Sequence, residues 1–280
     1  RPVLCLLAAR ACSGGFVTED TLLYASAVEL LHNATLLHDD VADDSPMRRG
    51  VPTVMSLLGG RASVLLGDYW LVKGMENILA SANSSAKVIR IFAATLSDLA
   101  EGELLQLQKA DTGDTLEQDY YKIIYNKTSS LFVAAATSGA MSVGASEEKM
   151  KAVRTYAKCL GQAFQIKDDI FDYLDNQQTG KPAGLDLKER KITLPLLGAL
   201  KNVSEERAKE VRRMVCNIDD HPDYQKDIVS FVKSEGGMEY AKMRLQEFVD
   251  NAKIALRPLG DVREVGMLAD IAEYTAVRKS

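Results

Sequence analysis

Apolar residues recur along almost the whole chain at intervals of three and four positions, the spacing of one face of a helix. One such segment follows the helix-capping residues Thr18 and Asp20 and carries Leu22, Leu23, Ala27, Leu30, Leu31, Ala34 and Leu37. The same periodicity predicts helices over roughly 53–82, 86–110, 115–143, 147–175, 192–201, 204–217, 223–234, 238–256 and 261–278. Alternating runs typical of strands are nearly absent, so we predict an all-α fold.

No linker rich in Pro, Gly or Ser divides these segments, and most of the connections between them are short. Short connections place consecutive helices antiparallel. We therefore predict a single all-helical domain over residues 1–280, built as a large antiparallel helical bundle. We interpret the apolar run Val3–Ala9 as a core helix of a fragment that lacks its true N-terminus, in preference to a secretory signal.

Composition and charge exclude several classes of partner. The chain has 34 Lys and Arg against 39 Asp and Glu, a net charge of −5, so no overall basic field attracts nucleic acid. No segment is apolar enough for stable membrane insertion. The four cysteines lack the paired spacing of a zinc site, which favours a reducing, cytoplasmic location. An anionic ligand must then be held by a local basic cluster or by metal ions.

The most informative motif is DDxxD, which twice follows an apolar helical stretch. Its members are Asp39, Asp40 and Asp43 in the first copy, and Asp168, Asp169 and Asp172 in the second. At about 100° per residue, the first and last carboxylates of each copy lie one turn apart on one helix face. Two carboxylates about 4 Å apart repel by about 4 kcal/mol at an effective dielectric constant near 20, so each cluster favours a cation. Clustered oxygen ligands suit Mg²⁺, which also bridges to substrate phosphates.

A third copy serves as an internal comparison. Asp219, Asp220 and Asp223 enclose Pro222 and follow a charged surface helix. We interpret this copy as the acidic start of a helix, where the macrodipole favours negative charge. A solvated acidic turn is the alternative for the first two copies as well, but their position at the end of apolar helices favours a metal site.

Basic residues accompany both acidic clusters. Arg48 and Arg49 follow the first cluster, Lys181 and the segment 188–191 follow the second, and Lys127 precedes Thr128 within a helix. Arginine grips phosphate through two hydrogen bonds, and lysine supplies a point charge. No glycine-rich nucleotide loop follows a strand. The pattern indicates a diphosphate substrate bridged to metal.

The ordered motifs resemble those of the trans-isoprenyl diphosphate synthases, over most of the chain. The matching segments are LLHDDVADDSPMRRG, GVPTV, LLGD, NKT, LGQAFQIKDDIFDY and GKPAGLDLKERKITLPL. The resemblance, closest to the octaprenyl and solanesyl type, implies an isoprenoid-synthase fold and a homodimer. It also implies the condensation of isopentenyl diphosphate with an allylic prenyl diphosphate, head to tail, to give a linear trans product.

The resemblance further implies three Mg²⁺ ions bound together with diphosphate. Asp39 and Asp43 would hold two ions, with Asp40 in support, and Asp168 would hold the third. Asp169 and Asp172 would help through ligation or bound water. The basic groups and metal would stabilise charge on the departing diphosphate.

The substrate-binding residues implied by the resemblance form three groups. Arg48, Lys127 and Lys191 would grip the allylic diphosphate, and Arg49 and His32 would bind the diphosphate of isopentenyl diphosphate. Phe164 and Gln165 would lie between the substrates, with Thr128 and Lys181 supporting the phosphate site. A core histidine is the alternative for His32.

Product length depends on the helix before Asp39. Ala34 and Thr35 precede it by five and four residues, at positions where the short-chain synthases of this family often carry aromatics. These small side chains favour a medium-to-long product, and Leu31 is a candidate for the floor of the tunnel. A short-chain farnesyl or geranylgeranyl diphosphate synthase is the alternative.

The sequence departs from the family pattern at two places. The Gly-Gly-Lys-Arg segment usual before Arg1 is absent, and Arg190 stands where glycine is common.

Two other classes of protein are alternatives. A class I terpene cyclase would carry a mixed second metal motif, and a non-catalytic partner subunit would lack one acidic motif. The repeated DDxxD favours chain elongation.

Overall fold

The computed structural model describes residues 1–48, 50–82, 86–174 and 184–278. Its helices are α1 (Pro2–Ser13), α2 (Glu19–Ala42), α3 (Val54–Leu58), α4 (Gly60–Ala80), α5 (Ala86–Thr112), α6 (Glu117–Ile124), α7 (Ser130–Ser142), α8 (Glu147–Asp172), α9 (Leu185–Lys188), α10 (Leu194–Leu200), α11 (Glu205–Cys216), α12 (Tyr224–Ser234), α13 (Gly237–Ala255) and α14 (Arg263–Val277). A π-helical segment, Tyr125–Ser129, joins α6 to α7. The predicted all-α fold is confirmed.

The structure departs from the predicted elements near the first acidic cluster. The helix expected over 53–82 is broken at Gly59, whose φ of 86° separates α3 from α4. A two-residue ribbon was not predicted: β1 (Met47–Arg48) pairs antiparallel with β2 (Val51–Pro52). Strands this short have no room for the alternating pattern that identifies a strand in sequence.

Helix α7 lies at the centre of the bundle because its small side chains allow close approach of its neighbours. A Cβ atom added at Gly139 would lie 2.2 Å from the carbonyl oxygen of Cys5 in α1. In the same way, a Cβ atom at Gly161 of α8 would lie 2.6 Å from Cα of Ser129, at the end of the π-helical segment. This contact sets α8, and the second acidic cluster with it, close beside the segment that carries Lys127.

Helices α2 and α4 pack along each other over most of their length. Gly67 of α4 lies beneath His38, and a Cβ atom added at Gly74 would lie 3.2 Å from Cδ2 of Leu31. This packing uses one side of α2 and leaves Asp39 on another side of it. No helix in the described part of the chain is long and apolar enough to cross a membrane.

Candidate active site

The first acidic cluster lies in the last turn of α2. Thr18 caps the start of this helix through its side chain, and the amide of Asp43 closes the final turn on the carbonyl of Asp39 at 2.8 Å. The C-terminal end of a helix carries a partial negative charge, so it disfavours carboxylates. The cluster therefore requires positive charge from elsewhere.

The electrostatics of Asp39 and Asp43 show this requirement. The pKa of Asp39 is raised to about 6, chiefly by burial; Lys127 opposes the shift, and the negative charges of Glu103 and Asp43 add to it. Burial also raises the pKa of Asp43, opposed first by Lys191. A divalent cation would relieve the repulsion within this pair.

Asp40 has a different partner from its neighbours. Its side chain is buried, and its Oδ1 atom accepts a hydrogen bond from Nε of Arg48 at 2.7 Å and forms an ion pair with Nη2 at 2.7 Å. The ribbon formed by β1 and β2 brings Arg48 back onto the end of α2. Asp40 therefore holds the guanidinium of Arg48 beside Asp39.

The second acidic cluster lies in the last turn of α8, and its first member is paired with a distant arginine. Nη2 of Arg278, which directly follows α14, donates to Oδ1 of Asp168 at 2.5 Å and to the carbonyl of Phe164 at 3.2 Å. The guanidinium also stacks over the ring of Phe164, 4.2 Å from its centroid. Sequence analysis assigned no role to Arg278.

Asp169 is buried and both of its oxygens accept hydrogen bonds. Tyr120 donates to Oδ2 at 2.6 Å, and Gln165 donates to Oδ1 through Nε2 at 2.9 Å. Oε1 of Gln165 in turn accepts from the hydroxyl of Thr128 at 2.8 Å. Burial raises the pKa of Asp169.

Asp172 caps the short helix α9. Its Oδ1 accepts from the amide of Leu185 at 2.9 Å, and its Oδ2 accepts from the amide of Asp186 at 3.1 Å. Asp186 was missed by sequence analysis, although an acidic residue between Leu185 and Leu187 after a glycine is a weak signal. Burial raises its pKa well above the ordinary value, and the charges of Asp169 and Asp172 add to the effect.

Of the predicted lysines, Lys127 and Lys191 lie within the described residues, and each is paired with a glutamate that sequence analysis missed. Lys127 forms an ion pair with Glu103 of α5, and Lys191 forms one with Glu189. Burial alone lowers the pKa of Lys191, but Glu189, Asp186 and Asp43 outweigh it and the pKa is raised. Lys191 therefore interacts electrostatically with Asp43 of the first cluster and with Asp186, which lies beside the second.

A cleft of about 170 Å³ lies beside the second cluster. Its lining combines acids, lysines and apolar groups, including Tyr120, Lys127, Gln165, Asp169, Asp186 and Lys191. A site with convergent polar groups on an apolar wall suits a ligand with a charged head and an apolar body.

Four of the other predicted residues lie on α2, and two lie outside the described residues. His32 is half-buried and precedes Asp39 by two helical turns on the same face. Thr35 lies roughly 40° around the helix from Asp39, whereas Ala34 lies roughly 140° away. Ala34 and Leu31 are fully buried, on the side of α2 that packs against α4. Arg49 and Lys181 lie outside the described residues.

The donors of the two clusters fit magnesium when a diphosphate completes its coordination. Within the described residues, no group of three or more His, Cys, Asp or Glu side chains converges on one point where a metal could bind. Mg²⁺ keeps several waters and is typically bound by one or two carboxylates plus substrate phosphates. Asp39, Asp43 and Asp168 supply such hard oxygen ligands.

The third DDxxD copy and Arg190 lie together on the surface. Asp219, Asp220 and Asp223 are all exposed, as expected for the acidic start of a helix, and α12 begins directly after them. Asp219 lies 3.6 Å from Nε of Arg190. Arg190 has a φ of 56°, in the left-handed region that favours glycine, which explains why glycine suits this position.

The sequence and the fold were each compared with those of known proteins. The polyprenyl synthetase family profile matches residues 1–232. Octaprenyl diphosphate synthase of Escherichia coli K12 is 37% identical over 262 residues, covering 93% of this chain and 80% of the relative. A polyprenyl synthase from Caulobacter crescentus CB15, complexed with calcium and isoprenyl diphosphate, superposes with a TM-score of 0.90 at 33% identity, over 100% of this chain and 84% of that one.

A decaprenyl diphosphate synthase from Rhodobacter capsulatus superposes equally well, with a TM-score of 0.89 at 34% identity, and the alignment covers 100% of this chain and 85% of that one. The match to the family profile covers more than half of the chain, and the relatives named above exceed 30% identity over most of it. This chain, with its two aspartate-bearing helix ends and their basic partners, therefore belongs to the polyprenyl synthetase family, which catalyses the trans elongation of prenyl chains.

Proposed function

We propose that this protein is a Mg²⁺-dependent trans-polyprenyl diphosphate synthase that condenses isopentenyl diphosphate with an allylic diphosphate. We propose a linear, medium-to-long polyprenyl diphosphate as its product. One observation carries the proposal: Lys191 lies between the end of α2 and the end of α8, which bear the two acidic clusters. Lys191 interacts with Asp43 of the first cluster and, through Asp186, with the second.

The proposed metal centre uses three Mg²⁺ ions together with diphosphate. Asp39 and Asp43 would hold two ions, and Asp168, whose carboxylate is 40% exposed and shared with Arg278, would hold the third. Asp40, Asp169 and Asp172 would act in support, since Arg48, Tyr120 and the amide of Leu185 respectively bind them. The bound metal would offset the negative charge that develops on the departing diphosphate. Asp40 would act by orienting Arg48, and Asp172 by anchoring α9 beside the site.

The cationic side chains would hold the allylic diphosphate. Lys127 and Lys191 would exchange their glutamate partners for phosphate oxygens, and Arg48 would add a planar donor held by Asp40. Phe164 and Gln165 would lie between the substrates, and Thr128, which donates to Gln165, would support the phosphate site. We propose that His32, with Arg49 and Lys181, contributes to the remaining phosphate contacts.

The assembly we propose is a homodimer. Monomeric proteins rarely expose large contiguous apolar patches, yet α3, α4 and α5 expose many large apolar side chains: Leu57, Leu58, Leu65, Tyr69, Val72, Leu104 and Leu107. A second copy of the chain would cover this face. Light scattering should give the mass of a dimer for the native chain and of a monomer for Leu65→Asp, with the exposed Met243→Asp as control.

The buried thiols support the proposed cytoplasmic location. Cys5, Cys12 and Cys159 are buried and no disulfide links the cysteines. Burial raises the pKa of Cys5 to about 12 and that of Cys12 to about 11, which keeps these thiols unreactive.

The activity is tested with the full-length protein, isopentenyl diphosphate and farnesyl diphosphate, with Mg²⁺ or with a chelator. Mass spectrometry of the dephosphorylated products should show a metal-dependent ladder that ends in one dominant long chain. Asp39→Asn should abolish the ladder, and Asp220→Asn, in the exposed third copy, should leave it unchanged.

Other outcomes would replace the proposal. A cyclic hydrocarbon would identify a terpene cyclase, and a ladder that stops at farnesyl or geranylgeranyl length with a shorter starter would identify a short-chain synthase. Mg²⁺-dependent binding of pyrophosphate without turnover would identify a non-catalytic partner subunit.

A further inference from the structure

A directional chain of hydrogen bonds ends on Asp169. The hydroxyls and the amide involved, those of Tyr120, Gln165 and Thr128, all donate toward the carboxylate, over distances of 2.6 to 2.9 Å. An ionised carboxylate only accepts, so Gln165 must direct its NH₂ group at Asp169 and its oxygen at Thr128. Thr128 must then donate, and its orientation is determined by groups that lie two steps away.

Tyr120 lies where its hydroxyl can orient Asp169, the last acceptor in this chain of hydrogen bonds. Its side chain is 3% exposed, lies on α6 and lines the cleft beside the second acidic cluster. Its bond to Asp169 spans 49 residues of sequence, so it links α6 directly to the end of α8. Without the hydroxyl, Oδ2 of Asp169 would lose its hydrogen-bond donor and the carboxylate could rotate toward the metal position.

The far end of the chain reaches the cationic side of the site. Thr128 follows Lys127 in the π-helical segment, and Lys127 interacts with Asp39 and Asp43 of the first cluster. π-Helical turns are rare and occur frequently at functional sites. The bond from Thr128 to Gln165 ties this segment to α8.

We propose that Tyr120 is a positioning residue. Its hydroxyl holds the carboxylate of Asp169 against Gln165, which in turn holds Thr128 and so fixes the segment that carries Lys127. With Asp169 held in this way, Asp168 is the metal ligand of the two adjacent aspartates. The proposal rests on the synthase function proposed above. Groups that orient metal ligands without touching the metal typically change metal affinity or activity by about 10- to 100-fold when removed.

The test compares Tyr120→Phe with Tyr121→Phe, since each deletes one hydroxyl from adjacent positions. The hydroxyl of Tyr121 accepts from Arg244 at 2.8 Å and does not line the cleft. For Tyr120→Phe we expect turnover to fall by about 10- to 100-fold and the half-saturating concentration of Mn²⁺, measured by electron paramagnetic resonance with pyrophosphate, to rise by a similar factor. Tyr121→Phe should leave both quantities unchanged.

Two further measurements separate positioning from a structural role. If Tyr120→Phe lowers only the melting temperature and leaves metal affinity and turnover at native values, the proposal is overturned. Thr128→Val enters the chain from its other end, so its effect should be less than additive with that of Tyr120→Phe; full additivity would also overturn the proposal. An inactive native protein that still binds Mn²⁺ and pyrophosphate would refute the synthase function, while the change in Mn²⁺ binding would still test Tyr120.

Discussion

Arg278 donates to Asp168 at 2.5 Å, so the first carboxylate of the second acidic cluster is paired with a cation from the end of α14. The two residues lie 110 positions apart in the sequence. The guanidinium is held by stacking on Phe164 and is only 11% exposed, whereas the carboxylate is 40% exposed. A metal ion that binds Asp168 must either share the carboxylate with Arg278 or displace Arg278 from it.

Arg278→Gln should therefore strengthen metal binding. Removal of a competing cation from Asp168 is expected to lower the half-saturating Mn²⁺ concentration by about two- to fivefold, the range that corresponds to a part-exposed ion pair. Titration calorimetry in the presence of pyrophosphate measures the effect. Arg257→Gln, at an exposed position, is the control, and weaker metal binding in Arg278→Gln would show that the guanidinium assists the metal instead.

Asp40→Asn should weaken the binding of the allylic diphosphate. The substitution removes the charge that accepts a hydrogen bond from Nε of Arg48 and forms an ion pair with its Nη2, so the guanidinium loses its orientation. We expect KM for the allylic substrate to rise about tenfold, the equivalent of about 1.4 kcal/mol, with a smaller change for isopentenyl diphosphate. Steady-state kinetics measure both KM values, with Asp44→Asn as the exposed control. An equal rise of KM for the allylic substrate and for isopentenyl diphosphate would contradict this role of Asp40.

The stability of the ligand-free protein should fall as the pH rises from about 4 to about 6. The pKa of Asp39 is about 6 in the folded chain, above the ordinary value of 3.8, so the folded state binds the proton more tightly than the unfolded state. Ionisation of Asp39 therefore costs stability, by about 3 kcal/mol at most.

Urea unfolding at a series of pH values measures this effect. Asp39→Asn should remove that part of the slope, because asparagine does not titrate, and Asp220→Asn should retain it. Added Mg²⁺ and pyrophosphate should stabilise the native protein more at pH 7 than at pH 5, since the metal binds the ionised carboxylate. An identical slope in Asp39→Asn and the native chain would exclude this origin.

Arg190→Gly should stabilise the protein. Arg190 has a φ of 56°, a left-handed conformation that costs a non-glycine residue about 1–2 kcal/mol. The surface ion pair lost with Asp219 is worth about 0–1 kcal/mol, so we expect a net gain of about 0.5–1 kcal/mol in the free energy of unfolding. Arg190→Lys keeps both the charge and the strained conformation and should show no gain.

Bulk on α2 should shorten the product. Thr35 shares the helix face of Asp39, so Thr35→Phe is expected to block a growing chain with little change in stability. Ala34 is fully buried on the side that packs against α4, so Ala34→Phe should cost about 1–3 kcal/mol through overpacking. We expect it also to shorten the product, because the added ring fills space beside the helix along which the chain grows. Product length is measured by mass spectrometry and stability by thermal melting, for both variants. Unchanged product lengths would show that neither side chain limits the growing chain.

Much of the site is readable from local sequence because its components are local. Apolar spacing predicts α2 and α8, and the DDxxD pattern places each carboxylate pair one turn apart on a helix. The exposure of the third copy, Asp219 to Asp223, also follows from its flanking sequence. The ribbon of β1 and β2, the break at Gly59 and the short helix α9 are too brief to leave a periodic signal.

The sequence by itself determined the helical class, the two acidic clusters and the lysines and arginines available to them, because helix periodicity and motif spacing depend on neighbouring residues. Only the tertiary structure decided which carboxylates already have partners: Tyr120 on Asp169, Arg48 on Asp40 and Arg278 on Asp168. It also revealed Glu103, Glu189 and Asp186 as members of the site. The physical reason is that most of these contacts join helices far apart in the chain, and their geometry depends on how closely small residues such as Gly139 and Gly161 let those helices approach.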